Sequence, residues 1–158
     1  MKVHFSSDRQ DWETPQAFFD LLDEEFGFQL DVCATRKNRK LPKFFSPEDD
    51  ALQQMWLGKC WMNPPYGKGI TEWVRKAYEE SRYAKTMVVA LLPARTDTKW
   101  WHRYVMRASE VRLVRGRLRF EGAKSSAPFP SAVVVWEYYT EGPPKFSSMR
   151  PTKRERGV

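Results

Sequence analysis

The sequence has few of the residues that build metal sites and disulfide frameworks. It contains only two cysteines, Cys33 and Cys60, and two histidines, His4 and His102. Their spacing matches no common zinc motif, which argues against a structural or catalytic zinc site. We therefore expect no bound metal.

Long apolar runs are also missing. No stretch approaches the roughly 18 apolar residues of a membrane span, and residues 1–10 carry charge without the apolar segment of a secretory signal. These absences exclude a membrane-spanning protein and disfavour a secreted one. We expect a cytoplasmic protein without membrane contact, in which both cysteines are reduced thiols.

The length and composition suit one folded domain. The 158 residues are 41% hydrophobic and include seven Trp and ten Phe, enough for a packed core. The polar and basic C-terminal residues have the composition of a disordered segment. We expect a single domain over residues 1–146 and a disordered basic tail over 147–158.

Positive charge exceeds negative charge, and the excess is uneven. The formal net charge is +7, and six arginines lie between Arg103 and Arg119, whereas acidic residues crowd into 8–31 and 48–50. This asymmetry predicts a face that meets a polyanion. Charge alone does not separate DNA from RNA or a membrane, and a solvated basic surface without a ligand is the alternative.

Periodic patterns predict alternating helices and strands. Thr14 as N-cap and Pro15 at the first helical position begin a predicted helix that ends before Gly27, and the spacing of apolar residues from Ile70 to Tyr78 predicts an amphipathic helix. A run of β-branched residues over 86–92 is typical of a central parallel strand. Further strands are predicted over 28–34, 59–63, 110–114, 117–120 and 131–139, a brief one within 43–52, and a helix over 100–108. Alternating elements followed by a run of strands predict a three-layer α/β domain, in which ligands bind beyond the carboxyl ends of the strands.

The segment Asn63-Pro64-Pro65-Tyr66 follows one of these predicted strands. Two prolines fix φ on consecutive residues, so the Pro64 carbonyl has few alternative directions. This carbonyl and the Asn63 side-chain oxygen could accept both hydrogen bonds of a nucleobase amino group, and this would favour the pyramidal nitrogen whose lone pair can attack. Tyr66 would offer a flat face on which the base stacks. An ordinary turn that ends the strand is the alternative.

This segment resembles motif IV of the amino-methyltransferases that use S-adenosylmethionine (AdoMet), and the order of motifs over about residues 8–138 resembles the phage-type (Dam-like) DNA N6-adenine methyltransferases. The resemblance implies a Rossmann-like sheet with helices on both faces and a C-terminal antiparallel hairpin, AdoMet as cofactor and DNA as partner in a bacterial host cytoplasm. It implies catalytic roles for Asn63, Pro64, Pro65 and Tyr66. Implied cofactor contacts are Trp12, Thr14, Pro15, Asp31, Cys33, Ala34 and Asp50, with Glu48 or Asp49 for the ribose hydroxyls.

Two further segments complete the resemblance. The stretch 91–101, LLPARTDTKWW, is similar to the family's sequence after the central strand, and Phe129 is the candidate aromatic against a flipped base, or else a core residue at a strand edge. In the basic segment after the predicted strand 110–114, Arg117 and Arg119 are predicted phosphate contacts. Strand alternation allows about half of the arginines there to face one ligand.

The implied reaction needs neither a histidine base nor a metal, so the scarcity of both agrees with it. Other amino targets stay open, namely cytosine N4, adenine in RNA, or a protein glutamine. A non-catalytic nucleic-acid-binding module with this fold is the alternative from another class.

Overall fold

Three α-helices and six strands occur in the part of the chain that the computed structural model describes, residues 11–152. The helices are α1 (Gln16–Phe26), α2 (Ile70–Ser81) and α3 (Lys99–Tyr104), with 3₁₀ turns at Pro47–Asp49, Ala51–Gln53 and Val105–Arg107. The strands are β1 (Leu30–Asp31), β2 (Gly58–Met62), β3 (Thr86–Pro93), β4 (Glu110–Val114), β5 (Ser131–Trp136) and β6 (Lys145–Met149).

The strands form one mixed sheet in the order β1-β2-β3-β5-β4-β6. The neighbours β1, β2 and β3 run parallel, with Asp31 opposite Trp61 and Met62 opposite Ala90. β5 runs antiparallel to both β3 and β4, and β6 is parallel to β4. The carboxyl ends of three adjacent strands therefore meet at one edge of the sheet.

Both faces of the central strands are covered. Every residue of β5 is buried, as are seven of the eight residues of β3. Because successive strand residues point to opposite faces, continuous burial requires packing on both sides. One such contact is Phe19 of α1 against Trp61 of β2, with ring centroids 5.4 Å apart.

Most of the predicted elements are confirmed. The strands expected over 28–34, 59–63, 86–92, 110–114 and 131–139 correspond to β1 to β5. All three predicted helices form, and the one expected over 100–108 consists of α3 and a 3₁₀ turn. The brief strand expected within 43–52 is a single bridge between Asp31 and Phe44. The sequence pattern therefore located the central strands and their faces correctly.

The predicted start of α1 is wrong by one residue. The N-cap is Pro15, and Thr14 makes no capping bond. The first helical amide, on Gln16, instead donates to the Glu121 carboxylate at 2.9 Å. The Thr14 hydroxyl is used elsewhere, as an acceptor for the side chain of Asn63.

Two expectations about the C-terminal third are also wrong. Residues 117–120 were expected to form a strand of the C-terminal hairpin, and they form none. β4 and β5 are joined by the long connection 115–130, which contains no strand. Residues 147–149, expected in a disordered tail, belong to β6 and pair with β4. The last six residues of that tail, and His4, lie outside the described residues.

Candidate active site

A cavity of about 440 Å³ opens at the edge where the parallel strands end. It lies against segments that follow β1 and β2 and against the segment that precedes α1. Nine of the predicted site residues line it, namely Trp12, Thr14, Asp31, Cys33, Ala34, Asp50, Asn63, Pro64 and Pro65. Pro15 and Glu48 are not among the lining residues.

The side-chain amide of Asn63 is held in one orientation. Its nitrogen donates to the backbone carbonyl of Trp12 and, over 2.9 Å, to the hydroxyl oxygen of Thr14. A carbonyl oxygen can only accept, so the amide nitrogen must face Trp12. The other end of the amide, Asn63 Oδ1, is buried and has no hydrogen-bond partner among the described residues. A buried acceptor without a donor is unfavourable unless a ligand supplies one.

Tyr66 is turned away from this cavity. Its side chain is 4% exposed, and its hydroxyl donates to the Leu91 carbonyl of β3 over 2.9 Å. Burial raises the pKa of this hydroxyl well above its ordinary value. Its ring meets Phe129 edge-on at 5.5 Å. Tyr66 therefore fixes the segment after β2 to the neighbouring strand.

Asp31 organises the loop after β1. Its carboxylate accepts from the backbone amides of Cys33 at 3.3 Å and Lys40 at 3.0 Å. Burial raises the pKa of Asp31 to about 6, although these two hydrogen bonds and the Lys40 charge act in the opposite direction. Burial, with the nearby Asp31 charge, also raises the pKa of Cys33 to about 12. Cys33 therefore stays a neutral thiol at the cavity wall.

The neighbours Asp49 and Asp50 have different surroundings. Asp49 accepts from the backbone amide of Ser46 at 2.7 Å and from its hydroxyl at 2.9 Å, and these bonds lower the pKa of Asp49. Asp50 sits between two 3₁₀ turns with φ of 51° and lines the cavity. No described residue donates to its carboxylate. Of the acidic residues at 48–50, Asp50 is therefore the one that both lines the cavity and has a carboxylate free to bind a ligand.

Lys40 is a site residue that the sequence did not single out. Its side chain is only 7% exposed, with Nζ 3.1 Å from Gln16 Oε1 and 4.0 Å from Glu13 Oε1. Among the lining residues that the structure describes, Lys40 is the one cation, whereas Asp11, Glu13, Asp31 and Asp50 are acidic. In the sequence Lys40 stands in a charged run, and nothing there distinguishes it from its exposed neighbours.

A second cavity, of about 550 Å³, lies beside the first. Trp12 lines both, so its ring belongs to the wall between them. Trp12 packs edge-on against Phe129 at 5.1 Å and Phe120 at 5.3 Å. The segment after β2 contributes to both cavities as well, with Asn63 to Pro65 on the first and Tyr66 to Lys68 on the second.

Three of the four arginines of the 112–119 segment bind groups within the protein through their side chains, namely Arg112, Arg117 and Arg119. Arg112 forms a bidentate pair with Glu25 at 2.8 and 2.5 Å and also contacts Glu110, and these carboxylates raise its pKa. Arg117 donates to the Ala127 carbonyl at 3.4 Å, and Arg119 donates to the carbonyls of Ala123 and Lys124, each at 3.2 Å. Neither Arg117 nor Arg119 lines the first or the second cavity. Their assignment as phosphate contacts remains a prediction.

Residues 11–152 hold no group of three or more His, Cys, Asp or Glu side chains arranged for a metal ion. Both cysteines are free, and burial raises the pKa of Cys60 to about 12. Within the same range, no helix has the length and apolar character to cross a bilayer.

The chain is similar to proteins of one known family. A family model described as DNA N-6-adenine-methyltransferase (Dam) matches residues 3–156. A DNA N-6-adenine-methyltransferase of Haemophilus phage HP1 (strain HP1c1) is 37% identical over 108 residues, which cover 66% of this chain and 62% of the relative. One of Escherichia phage T1 is 33% identical over 104 residues, which cover 63% and 42%. The chain thus spans about half the length of these curated relatives. Because the family model matches nearly the whole sequence, the chain belongs to the DNA N-6-adenine-methyltransferase (Dam) family.

Proposed function

We propose that this protein transfers the methyl group of AdoMet to the exocyclic N6 of an adenine in DNA. The observation that carries the proposal is the buried, unpartnered Oδ1 of Asn63, at the end of an amide that Trp12 and Thr14 hold in place. An acceptor prepared in this way suits a ligand that donates a hydrogen bond. The amino group of a nucleobase is such a donor.

The acceptor acts most strongly on the reacting nitrogen. An adenine amino nitrogen is planar, and its lone pair is delocalised into the ring. As the nitrogen becomes pyramidal and gains positive charge, its N–H bonds become stronger donors, so the contact with Asn63 Oδ1 strengthens toward the transition state. The Pro64 carbonyl, restricted by two prolines, is the proposed second acceptor.

Thr14 is a positioning residue in this proposal. Its hydroxyl and the Trp12 carbonyl bind the nitrogen of the Asn63 amide, so the oxygen keeps its direction without reorganisation during the reaction. The family resemblance implied a direct cofactor contact for Thr14. The hydrogen bond to Asn63 favours the indirect role.

The first cavity fits AdoMet in size and in chemistry. Its volume of about 440 Å³ falls within the range of small-molecule sites, roughly 300–1,000 Å³. The free carboxylate of Asp50 would accept from the adenine amino group. Lys40 would bind the carboxylate of the methionine end, and Glu13 its ammonium group. Bound AdoMet supplies a methyl group on a positively charged sulfur. The neutral thioether that remains after transfer of the methyl group is a good leaving group.

The remaining requirement of the reaction is to align the adenine amino nitrogen with the methyl group of AdoMet. A paired base cannot reach a recessed cavity, so the target adenine must be unpaired or rotated out of the duplex, at a cost of a few kcal/mol. Stacking on an aromatic ring, about 1–3 kcal/mol per base, could offset part of that cost. Tyr66 and Phe129, which line the second cavity, are the proposed aromatic contacts.

We further propose that the sheet is the Rossmann-like, three-layer sheet of AdoMet-dependent methyltransferases. The three adjacent parallel strands and the continuous burial of β3 and β5 support this assignment. The methyltransferase domain would then extend through β6. Since both curated relatives come from phages, the proposed place of action is the cytoplasm of a bacterial host.

The test is transfer of tritium from labelled AdoMet to DNA, followed by chromatography of the nucleosides. We expect the label in N6-methyladenine. Label only in cytosine, RNA or protein would reject the proposed substrate. Failure of the protein to bind AdoMet in calorimetry would favour the non-catalytic nucleic-acid-binding module.

A further inference from the structure

The loop that follows β3, residues 94–98, has no role in the reaction proposed above, although it borders the second cavity. The loop is held firmly. The Arg95 carbonyl accepts from the Thr98 hydroxyl at 2.8 Å and from the Thr98 amide at 3.2 Å, and His102 Nε2 lies 2.8 Å from the Thr96 carbonyl. These hydrogen bonds fix the backbone from which the Arg95 side chain projects, at the carboxyl end of β3.

The Arg95 guanidinium itself is available. It lies 5.9 Å from the centroid of the Phe129 ring, and Arg95 is exposed. Within residues 11–152 no carboxylate or carbonyl accepts a hydrogen bond from this guanidinium. This state contrasts with that of Arg112, Arg117 and Arg119, whose guanidinium groups all bind acceptors of the protein.

Lys68 is a second cation of this kind at the same cavity. It is exposed, stands between two glycines just after Tyr66, and forms no ion pair with a described residue. Four of the eleven residues that line this cavity are aromatic, namely Trp12, Tyr66, Trp100 and Phe129. Aromatic walls with unpaired cations at the edge are suited to a base and the phosphates beside it.

We infer that Arg95, together with Lys68, binds the DNA phosphates that flank the target adenine, whose ring would enter the second cavity while its amino group reaches Asn63 at the boundary with the first. This inference rests on the proposed function and adds the substrate-binding residues to it. Arg95 is on the loop after β3 and Lys68 is on the segment after β2, so two different segments that line the second cavity would each supply a cation to the strand. The guanidinium fork of Arg95 suits a phosphate better than a point charge does.

The test measures binding of a short fluorescein-labelled single-stranded oligodeoxyadenylate by anisotropy at a series of salt concentrations. Single-stranded bases enter a cavity without the cost of leaving a duplex. Each lost phosphate contact should reduce the slope of log K against log salt by about 0.7 on a single strand. We therefore expect a reduction of about 0.7 for Arg95→Gln, of about 0.7 for Lys68→Gln, and of about 1.4 for both together.

Three control variants separate the effect of charge from the effects of position and packing. Lys85→Gln removes an exposed lysine at the amino end of β3, roughly 25 Å along the strand from Arg95, and should leave the slope unchanged. Phe129→Leu should weaken binding without a change in slope, because a neutral side chain releases no counterion. Arg95→Lys should keep most of the slope.

The possible outcomes distinguish failure of the phosphate and base assignments from failure of the proposed function. An unchanged slope in both Arg95→Gln and Lys68→Gln would overturn the phosphate assignment while the proposed function stands. Unchanged affinity in Phe129→Leu would overturn the assignment of the cavity to the base. If the wild type transfers no methyl group to DNA, the proposed function itself fails.

Discussion

The Asn63 side-chain amide donates a hydrogen bond to the Thr14 hydroxyl across 2.9 Å, and this bond joins residues 49 positions apart in the sequence. It connects the segment before α1 to the segment after β2. Together with the bond to the Trp12 carbonyl, it leaves Asn63 Oδ1 as a buried acceptor without a protein donor. The orientation of one amide thus depends on two distant parts of the chain.

Replacement of Thr14 tests this dependence. Thr14→Val keeps the shape and removes the acceptor, and we expect kcat to fall roughly five- to tenfold, the factor for one hydrogen bond of about 1 to 1.4 kcal/mol. Thr14→Ser should restore kcat. Affinity for S-adenosylhomocysteine, the demethylated cofactor, should stay near that of the wild type in both variants. A fall in that affinity with unchanged kcat would instead make Thr14 a cofactor contact.

Asp50 and Asp49 offer a matched pair of substitutions. Asp50→Ala should weaken binding of S-adenosylhomocysteine roughly 10- to 150-fold, because a charge-assisted hydrogen bond contributes about 1.5–3 kcal/mol. Asp49→Ala should have little effect on that affinity, since the Asp49 carboxylate binds Ser46. Calorimetry measures both. The reverse order of effects would move the cofactor role from Asp50 to Asp49.

Lys40 is tested with two ligands that differ at one end. S-adenosylhomocysteine has an amino-acid group, and 5′-methylthioadenosine lacks it. Lys40→Met should weaken binding of the first by about tenfold or more and leave the second unchanged, because only the first presents a carboxylate to the lysine. An equal loss for both ligands would show that Lys40 supports the cavity structure and does not bind the amino-acid end.

The raised pKa of the Asp31 carboxyl should make the stability of the protein depend on pH. Its pKa in the folded protein is about 6, above its ordinary value of 3.8, so the folded state binds this proton more tightly than the unfolded state does. The resulting stabilisation is complete below about pH 4 and is lost as pH rises through about 6. It amounts to at most about 3 kcal/mol.

Urea unfolding of the wild type and Asp31→Asn across this pH range isolates the contribution. We expect the free energy of unfolding of the wild type, relative to that of Asp31→Asn, to fall between about pH 4 and pH 6 and then to level off. A difference that is constant or that rises with pH would show that the pKa of Asp31 is not raised.

The sequence predicted the centre of the sheet better than its edge. Continuous apolar runs and helical spacing reflect burial, so β3, β5 and α2 were identifiable. The exposed strand β6 contains polar residues and borders solvent, so it has no apolar period to detect. Residues 117–120 show the opposite case. Leu118 and Phe120 are buried in alternation with exposed arginines, yet no neighbouring strand pairs with their backbone. Alternation predicts which side chains face the core and does not predict the partner of the backbone.

The site was predictable as a set of segments but not as contacts. The order of motifs brought together Trp12, Asp31, Asp50 and Asn63, which all line the first cavity. Sequence spacing contains no information about which polar groups bind each other across the fold. For this reason the partner of Thr14, the engagement of Asp49 with Ser46, and the buried position of Lys40 appeared only in three dimensions.

Methyl transfer by Asn63 variants tests the central claim most directly. The measurement is kcat for tritium transfer from labelled AdoMet to DNA, with dissociation constants for both ligands and the melting temperature as controls. Asn63→Asp should retain more activity than Asn63→Ala, because a carboxylate keeps an acceptor of similar shape and can itself accept from the Thr14 hydroxyl. Its activity should stay below that of the wild type, because its second oxygen faces the Trp12 carbonyl without a proton to donate.

If Asn63 Oδ1 binds the reacting amino group, Asn63→Ala should lower kcat by roughly 10²–10³-fold while both affinities change by less than about tenfold. A residue that only ends a strand would behave differently, with lower melting temperature and weaker binding of both ligands together. Unchanged kcat in Asn63→Ala would contradict the proposed role of the buried acceptor.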